Sequence, residues 1–137
     1  ELYMLTQSLA GLASFLSYFA VAVALLVFFL LAYIFITPYR EFTLIRDGNA
    51  AAAASLSGAM LGFVLPLASA ITHSVSLLDM MVWGLIALIV QLLVYLLARL
   101  LLPTLTHDIP AGKVAIGVFV GMLSLAVGIL NAACMTY

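Results

Sequence analysis

Between Asp79 and Arg99 the chain reads MMVWGLIALIVQLLVYLLA (residues 80–98), without one charged side chain. A helix needs about 20 predominantly apolar residues to cross roughly 30 Å of hydrocarbon, and this run has that length. It shows no alternation of apolar and polar residues, so a strand of a membrane barrel is the weaker reading. Three further stretches, 2–39, 48–78 and 114–137, are equally free of Asp, Glu, Lys and Arg. The sequence therefore predicts an all-α integral membrane protein, a single membrane domain over 1–137 with transmembrane spans near 14–36, 50–72, 80–101 and 114–135. Pro38 and Pro103 close the first and third spans, since proline cannot continue the helical hydrogen-bond ladder. Asn49 is expected to cap the second span and Asp79 the third.

Composition points the same way. Of 137 residues, 68% are hydrophobic and 7% charged, with a mean hydropathy of +1.38. A soluble domain carries about 25% charged residues to keep its surface wetted, so lipid must be the main solvent and the bilayer the first partner. Four Lys and Arg and a net charge of −1 are too little for a phosphate footprint, which argues against nucleic acid. The single Cys134 allows no internal disulfide and no cysteine-based metal site, and no metal or cofactor is expected. No Lys or Arg precedes the first apolar stretch, which also outruns a signal-peptide core. It is expected to remain as a helix.

The charges also suggest an orientation. Arg40 and Arg46 lie in the 37–49 connection, and Arg99 and Lys113 flank the 102–113 connection. The positive-inside rule assigns that side to the cytoplasm, so both termini are expected to be periplasmic. Tyr18, Trp83 and Tyr137 then fall near the outer boundary, where aromatic belts form.

Each half carries a bulky helix, a proline, a short polar connection, a glycine and a helix rich in small residues. A shift of 64 places Gly48 on Gly112, Ala51 on Ala115, Leu61 on Leu125, Ala68 on Ala132 and Thr72 on Thr136. Two helical hairpins, 14–75 and 77–137, are read as a parallel repeat. Phe28, Phe29, Leu30 and Leu31 in the first span, and Leu92 to Leu97 in the third, suit lipid. The second span sets Ala51, Ser55, Gly58, Gly62, Leu65, Ser69 and Thr72 at alternating steps of four and three. The fourth does the same with Gly117, Gly121, Ser124, Gly128, Asn131 and Met135. That alternation keeps each set on one face of a left-handed pair, and small side chains allow close backbone approach where lipid offers no hydrophobic drive. The second and fourth spans are the expected packing centre, within one chain or across a homo-oligomer.

The candidate binding or pore positions are Pro66, Ser69, Gln91, Ser124 and Asn131. Pro66 deprives the Gly62 carbonyl of its usual donor, and Asn131 lies at similar depth. Interrupted helices meeting at matched depth build sites in some transporters. The simpler reading is a kink and an interhelical hydrogen bond. Gln91, near mid-membrane, either bonds a neighbouring helix or lines a pore. Ser69 and His73 share a helical face, but no acid joins them and no nucleophile elbow surrounds Ser69, so no catalytic residue is assigned. His73 and His107 fall on opposite sides and cannot share a metal. The 39–47 connection mixes apolar and charged residues and suits headgroup anchoring or a cytoplasmic protein partner. No acid or base lies deep in a span except Arg99, which can snorkel.

Thr37-Pro38-Tyr39-x-Glu41-x-x-Leu44-Ile45-x-x-Gly48-Asn49 resembles the first connection of the YjfL-like family. Leu65 to Ala70, Trp83-Gly84-x-Ile86-Ala87-Leu88-x-x-Gln91-Leu92 and Asn131 to Thr136 are similar to it too, so that the resemblance spans nearly the whole chain. It implies four helices in a bacterial inner membrane. It also implies gene neighbours related to phage-shock membrane-remodelling proteins and to polyamine or glutathionylspermidine-type synthetases. It brings no established activity and no catalytic residues. Together these readings favour a non-enzymatic, self-associating component of an envelope-maintenance or stress system. An oligomeric small channel or transporter, with polar residues of spans 2–4 along its path, is the alternative.

Overall fold

The structure, a computed structural model, describes residues 1–135. Thr136 and Tyr137, named above for the repeat and the aromatic belt, lie outside the described residues. Among those described, the chain forms six helices and no strand: α1 (Leu2–Ile36), α2 (Glu41–Arg46), α3 (Ala50–His73), α4 (Leu77–Leu101), α5 (Leu105–Asp108) and α6 (Val114–Cys134). Four of them, α1, α3, α4 and α6, are long and apolar enough to cross a membrane. The short α2 and α5 fill the two connections at one end of the bundle. That end carries Arg40, Arg46, Arg99 and Lys113 and is called the basic end below.

The basic end is held by local chemistry. Gly48 and Gly112 adopt φ of 86° and 81°, a left-handed backbone that costs a side-chain-bearing residue roughly 1–2 kcal/mol. Around Gly48, Asn49 N–H bonds back to Leu44 O and Gly48 N–H to Ile45 O. Around Gly112, Lys113 N–H bonds to Asp108 O and Gly112 N–H to Ile109 O. Both are Schellman-type stops that satisfy the last carbonyls of a short helix. Asn49 then starts α3: its Oδ1 accepts the Ala52 N–H at 2.9 Å. Its Nδ2 donates across to Ile109 O at 2.9 Å and Pro110 O at 3.3 Å, tying the two connections together.

α3 is the centre of the bundle. It lies along α6 over its whole length, with α4 and the C-terminal half of α1 on its other sides. Glycines make this approach possible. A Cβ built on Gly58 would fall onto the Gly121 backbone, one on Gly117 onto Ala51, one on Gly121 onto Ala54, and one on Gly128 onto Gly62. Each obstacle is backbone, which cannot swing aside. Aromatic packing closes the other side of α3. Phe29 stacks on Phe63 at 4.7 Å between ring centres, and Tyr33 meets Tyr95 edge-on at 5.2 Å. Such pairs contribute about 0.5–1.5 kcal/mol beyond area burial.

Four expectations need correction. The first helix begins at Leu2 rather than near 14, because no proline interrupts 2–36. At 1.5 Å per residue its 35 residues extend about 52 Å and outrun the hydrocarbon. α4 begins at Leu77 with Ser76 as its cap, not Asp79. Ser76 Oγ accepts the Asp79 N–H at 3.1 Å while Asp79 Oδ2 accepts the Val75 N–H at 3.2 Å, a reciprocal arrangement close to a capping box. The bulky helices are two-faced: Phe28 and Leu31 are exposed, but Phe29, Val94 and Tyr95 are buried. Finally, the buried face of α3 leaves the four-three alternation after Gly62 and continues through Pro66 and Ala70, leaving Leu65 and Thr72 outside. A helix of 3.6 residues per turn drifts off a 3.5-residue seam, and the drift accumulates with length.

Candidate functional site

Three of the five polar candidates meet in the interior of the bundle. Gln91 on α4 is fully buried, and its Nε2 donates to the Ser124 carbonyl on α6 at 3.0 Å. A Cβ on Gly62 would stand 2.7 Å from that same Nε2, so the absence of a side chain on α3 makes room for the amide. Ser124 is buried beside it, and Pro66 is buried one turn beyond Gly62 on α3. Pro66 does not break α3, which runs unbroken from Ala50 to His73. The Gly62 carbonyl it frees is turned to Gly128, whose missing Cβ leaves the space. Gln91 Oε1 is buried without a hydrogen-bond partner among the described residues. The node joins three helices through one amide, and Gln91 within it is shut off from solvent and lipid alike.

Ser69 and Asn131 lie nearer the end opposite the basic one. Ser69 Oγ donates to Ala132 O at 3.2 Å, a second tie between α3 and α6. Its contact with His73 Nδ1 is long at 3.4 Å, and His73 Nδ1 lies closer to Ser69 O, at 2.9 Å. Thr72 Oγ1 stands 3.1 Å from the same nitrogen, so Nδ1 is engaged by its own helix end. Asn131 is half-buried on α6, and its Nδ2, itself buried, has no hydrogen-bond partner among the described residues. The five candidates therefore separate into an interior node, a tie near the far end and one half-buried amide. Among the described residues no group of three His, Cys, Asp or Glu could hold a metal ion.

Sequence reasoning passed over a fourth cluster. Glu41 heads α2, and an acid in a short polar connection reads as solvated. Yet it is 1% exposed, and neither carboxyl oxygen has a hydrogen-bond partner among the described residues. Burial pushes its carboxyl up to about 7, while the nearby Thr37 pulls the other way. Tyr33 and Tyr39 are buried around it, and the Tyr39 and Tyr95 hydroxyls bond at 3.3 Å. Burial, and next the Tyr95 hydroxyl, hold the Tyr39 phenol well above its usual range. The other connection is conventional by contrast. Thr104 Oγ1 donates to Asp108 Oδ2 at 2.7 Å, Lys113 Nζ lies 3.2 Å from Asp108 Oδ1, and these partners hold that carboxyl below its ordinary value. The one signal for the missed cluster was that three tyrosines on separate segments fall at the same end of the fold.

Comparison with known proteins adds relatives to this geometry. The family profile described as Domain of Unknown Function (DUF350) matches residues 6–135. The chain is 46% identical over 129 residues to the UPF0719 inner membrane protein YjfL of Escherichia coli (strain K12), covering 94% of this chain and 98% of that one. It is 29% identical over 119 residues to the UPF0719 transmembrane protein YshE of Bacillus subtilis (strain 168), covering 85% and 89%. No solved structure matches it.

Proposed function

The chain belongs to the DUF350 family and is an integral inner-membrane protein, and from that premise we propose that it is a non-enzymatic, self-associating component of an envelope-maintenance or stress system. The observation that carries this reading is the use made of Gln91. The most deeply placed amide of the membrane interior donates to the Ser124 carbonyl inside one chain, fully buried, instead of facing an aqueous path. Interhelical bonds of this kind average about 0.6 kcal/mol and serve helix packing.

Self-association is supported by the outer edge of the α3–α6 seam. There Ala54, Ser57, Leu61, Val118, Met122 and Leu125 line an open apolar groove, floored by Gly58 and Gly121, into which a second copy can bring a helix close. The matching glycine stops at Gly48 and Gly112 support descent from a duplicated hairpin. The positive-inside rule supports the basic end as cytoplasmic, where α2 and α5 would offer the docking surface for a cytoplasmic protein partner. The test is cysteine cross-linking in native membranes of Ser57→Cys or Met122→Cys in a Cys134→Ser background. Covalent dimers at normal expression are expected; monomers alone would remove the self-associating part. Cells lacking the protein should tolerate membrane-perturbing agents less well, and equal survival would remove the envelope-maintenance part.

One observation favours the oligomeric channel as second reading. Asn131 is only half-buried on α6, and an inter-chain path along the α6 edge could employ it.

A further inference from the structure

The basic end holds one buried carboxyl group without a hydrogen-bond partner among the described residues, since the nearby Thr37 hydroxyl donates to Ile34 O at 3.1 Å instead. Glu41 is 1% exposed, and among the described residues both its oxygens lack hydrogen-bond partners, as does the buried Tyr33 hydroxyl. The titratable and charged groups facing it come from every element around it. α1 supplies Tyr33, and the connection before α2 supplies Tyr39. α4 supplies Tyr95 and Arg99, whose guanidinium carbon lies 6.0 Å from the Tyr95 ring centre. α3 packs on α2 but carries no ionisable side chain until His73, at its far end. Lys113 is engaged with Asp108, and Arg40, Arg46 and Asp47 are exposed. Among the described residues no cation forms an ion pair with Glu41. A buried carboxylate with neither a counter-charge nor a hydrogen bond is far costlier than the neutral acid, so the neutral form is the one this packing accommodates.

We propose that Glu41 is a proton-binding site at the basic face of the membrane domain, and that the proton it holds keeps α2 seated on the bundle. Ionisation releases H⁺ to water and leaves a carboxylate that is solvated only if α2 lifts, toward solvent or the exposed Arg40 and Arg46. Burial holds the seated carboxyl near 7, against 4.5 for the unperturbed group. The seated form therefore binds more protons than the lifted one between those values. The seating equilibrium constant is greatest below pH 4.5, falls about tenfold per pH unit up to about 7, and is level above that.

The test uses the full chain in lipid nanodiscs. Glu1 and Glu41 are its two glutamates, and Glu1 is exposed, so glutamate-specific carbon-13 labelling isolates the buried acid in infrared spectra. The expected result is a protonated-carboxyl band that persists to near neutral pH, disappears on further alkalinisation, and is absent from Glu41→Gln. A thiol at half-buried Leu44 (Leu44→Cys with Cys134→Ser) should react with a soluble maleimide faster as pH rises from 4.5 to 7. After correction for thiolate fraction the gain is on the order of 300-fold, and it should be flat in Glu41→Gln. If Glu41→Gln does not fold, the labelled wild-type spectrum still decides. Glutamate fully ionised at pH 5.5 would overturn the proton site, and corrected labelling flat with pH would overturn the latch. A titration that moves with sodium concentration would give the pocket to a metal cation instead.

Discussion

Adding one methyl group at Gly58 and one at Gly11 should have opposite effects. Both glycines lie inside helices, and alanine is intrinsically favoured there by about 1 kcal/mol. At Gly11 the new Cβ meets nothing within 4 Å, so Gly11→Ala should be neutral or gain up to that amount. At Gly58 the Cβ falls onto the carbonyl, Cα and carbon of Gly121. Backbone cannot rotate out of the way, so α3 and α6 must separate by on the order of 1 Å. A gap of that size forfeits roughly a quarter to a half of each contact's dispersion energy along the seam, and overpacking of this kind costs about 1–3 kcal/mol. The Ser69–Ala132 and Gln91–Ser124 bonds span the same interface or its edge, and weakening them adds a few tenths of a kcal/mol each. Allowing for the helix-propensity gain, Gly58→Ala should lose about 2 kcal/mol, roughly thirtyfold in the folding equilibrium. Reversible unfolding in mixed detergent micelles, followed by circular dichroism, measures both variants on one scale. Equal midpoints for Gly58→Ala and Gly11→Ala would refute the close-approach argument.

Gly121→Leu should disrupt assembly on detergent gels more than Leu96→Ala, because Leu96 is 45% exposed and its truncation opens no sealed cavity; similar profiles would count against the seam. Asn49→Ala should cost about 1–2 kcal/mol in the same unfolding assay, since it removes a helix cap and the ties to Ile109 and Pro110; an unchanged midpoint would show those ties to be idle. Cysteine at Phe42 should react with an impermeant reagent only after permeabilisation, whereas one at Ser76 should react in cells whose outer membrane is leaky; the reverse would invert the orientation.

The parts of this fold that depend on chain-local rules were legible in the sequence. Charge-free runs mark α3, α4 and α6, Pro38 and Pro103 fall just past helix ends, and Asn49 sits where a cap is needed. The start of α1 was not legible, since nothing in 2–36 distinguishes the end of a helix from the end of a membrane. Ser76 and Asp79 share one capping arrangement, and the sequence alone does not say which heads the helix. The small residues of α3 and α6 trace where the two helices touch, but drift beyond Gly62 moved the contact from Leu65 to Pro66. Glu41 was missed for a different reason. Its burial depends on Tyr33 and Tyr95 arriving from two other helices, and no local pattern records that convergence.

The interior amide of Gln91 holds helices together, and neither it nor Asn131 conducts. Planar-bilayer recording of the purified chain tests it most directly, with Gln91→Leu and Asn131→Leu alongside the wild type. No reproducible unitary current is expected from any of the three, and Gln91→Leu should lose about 0.6–1.7 kcal/mol of stability with its interhelical bond to Ser124 O. Wild-type single-channel currents whose ion selectivity shifts in either variant would contradict it and make these residues the lining of a path.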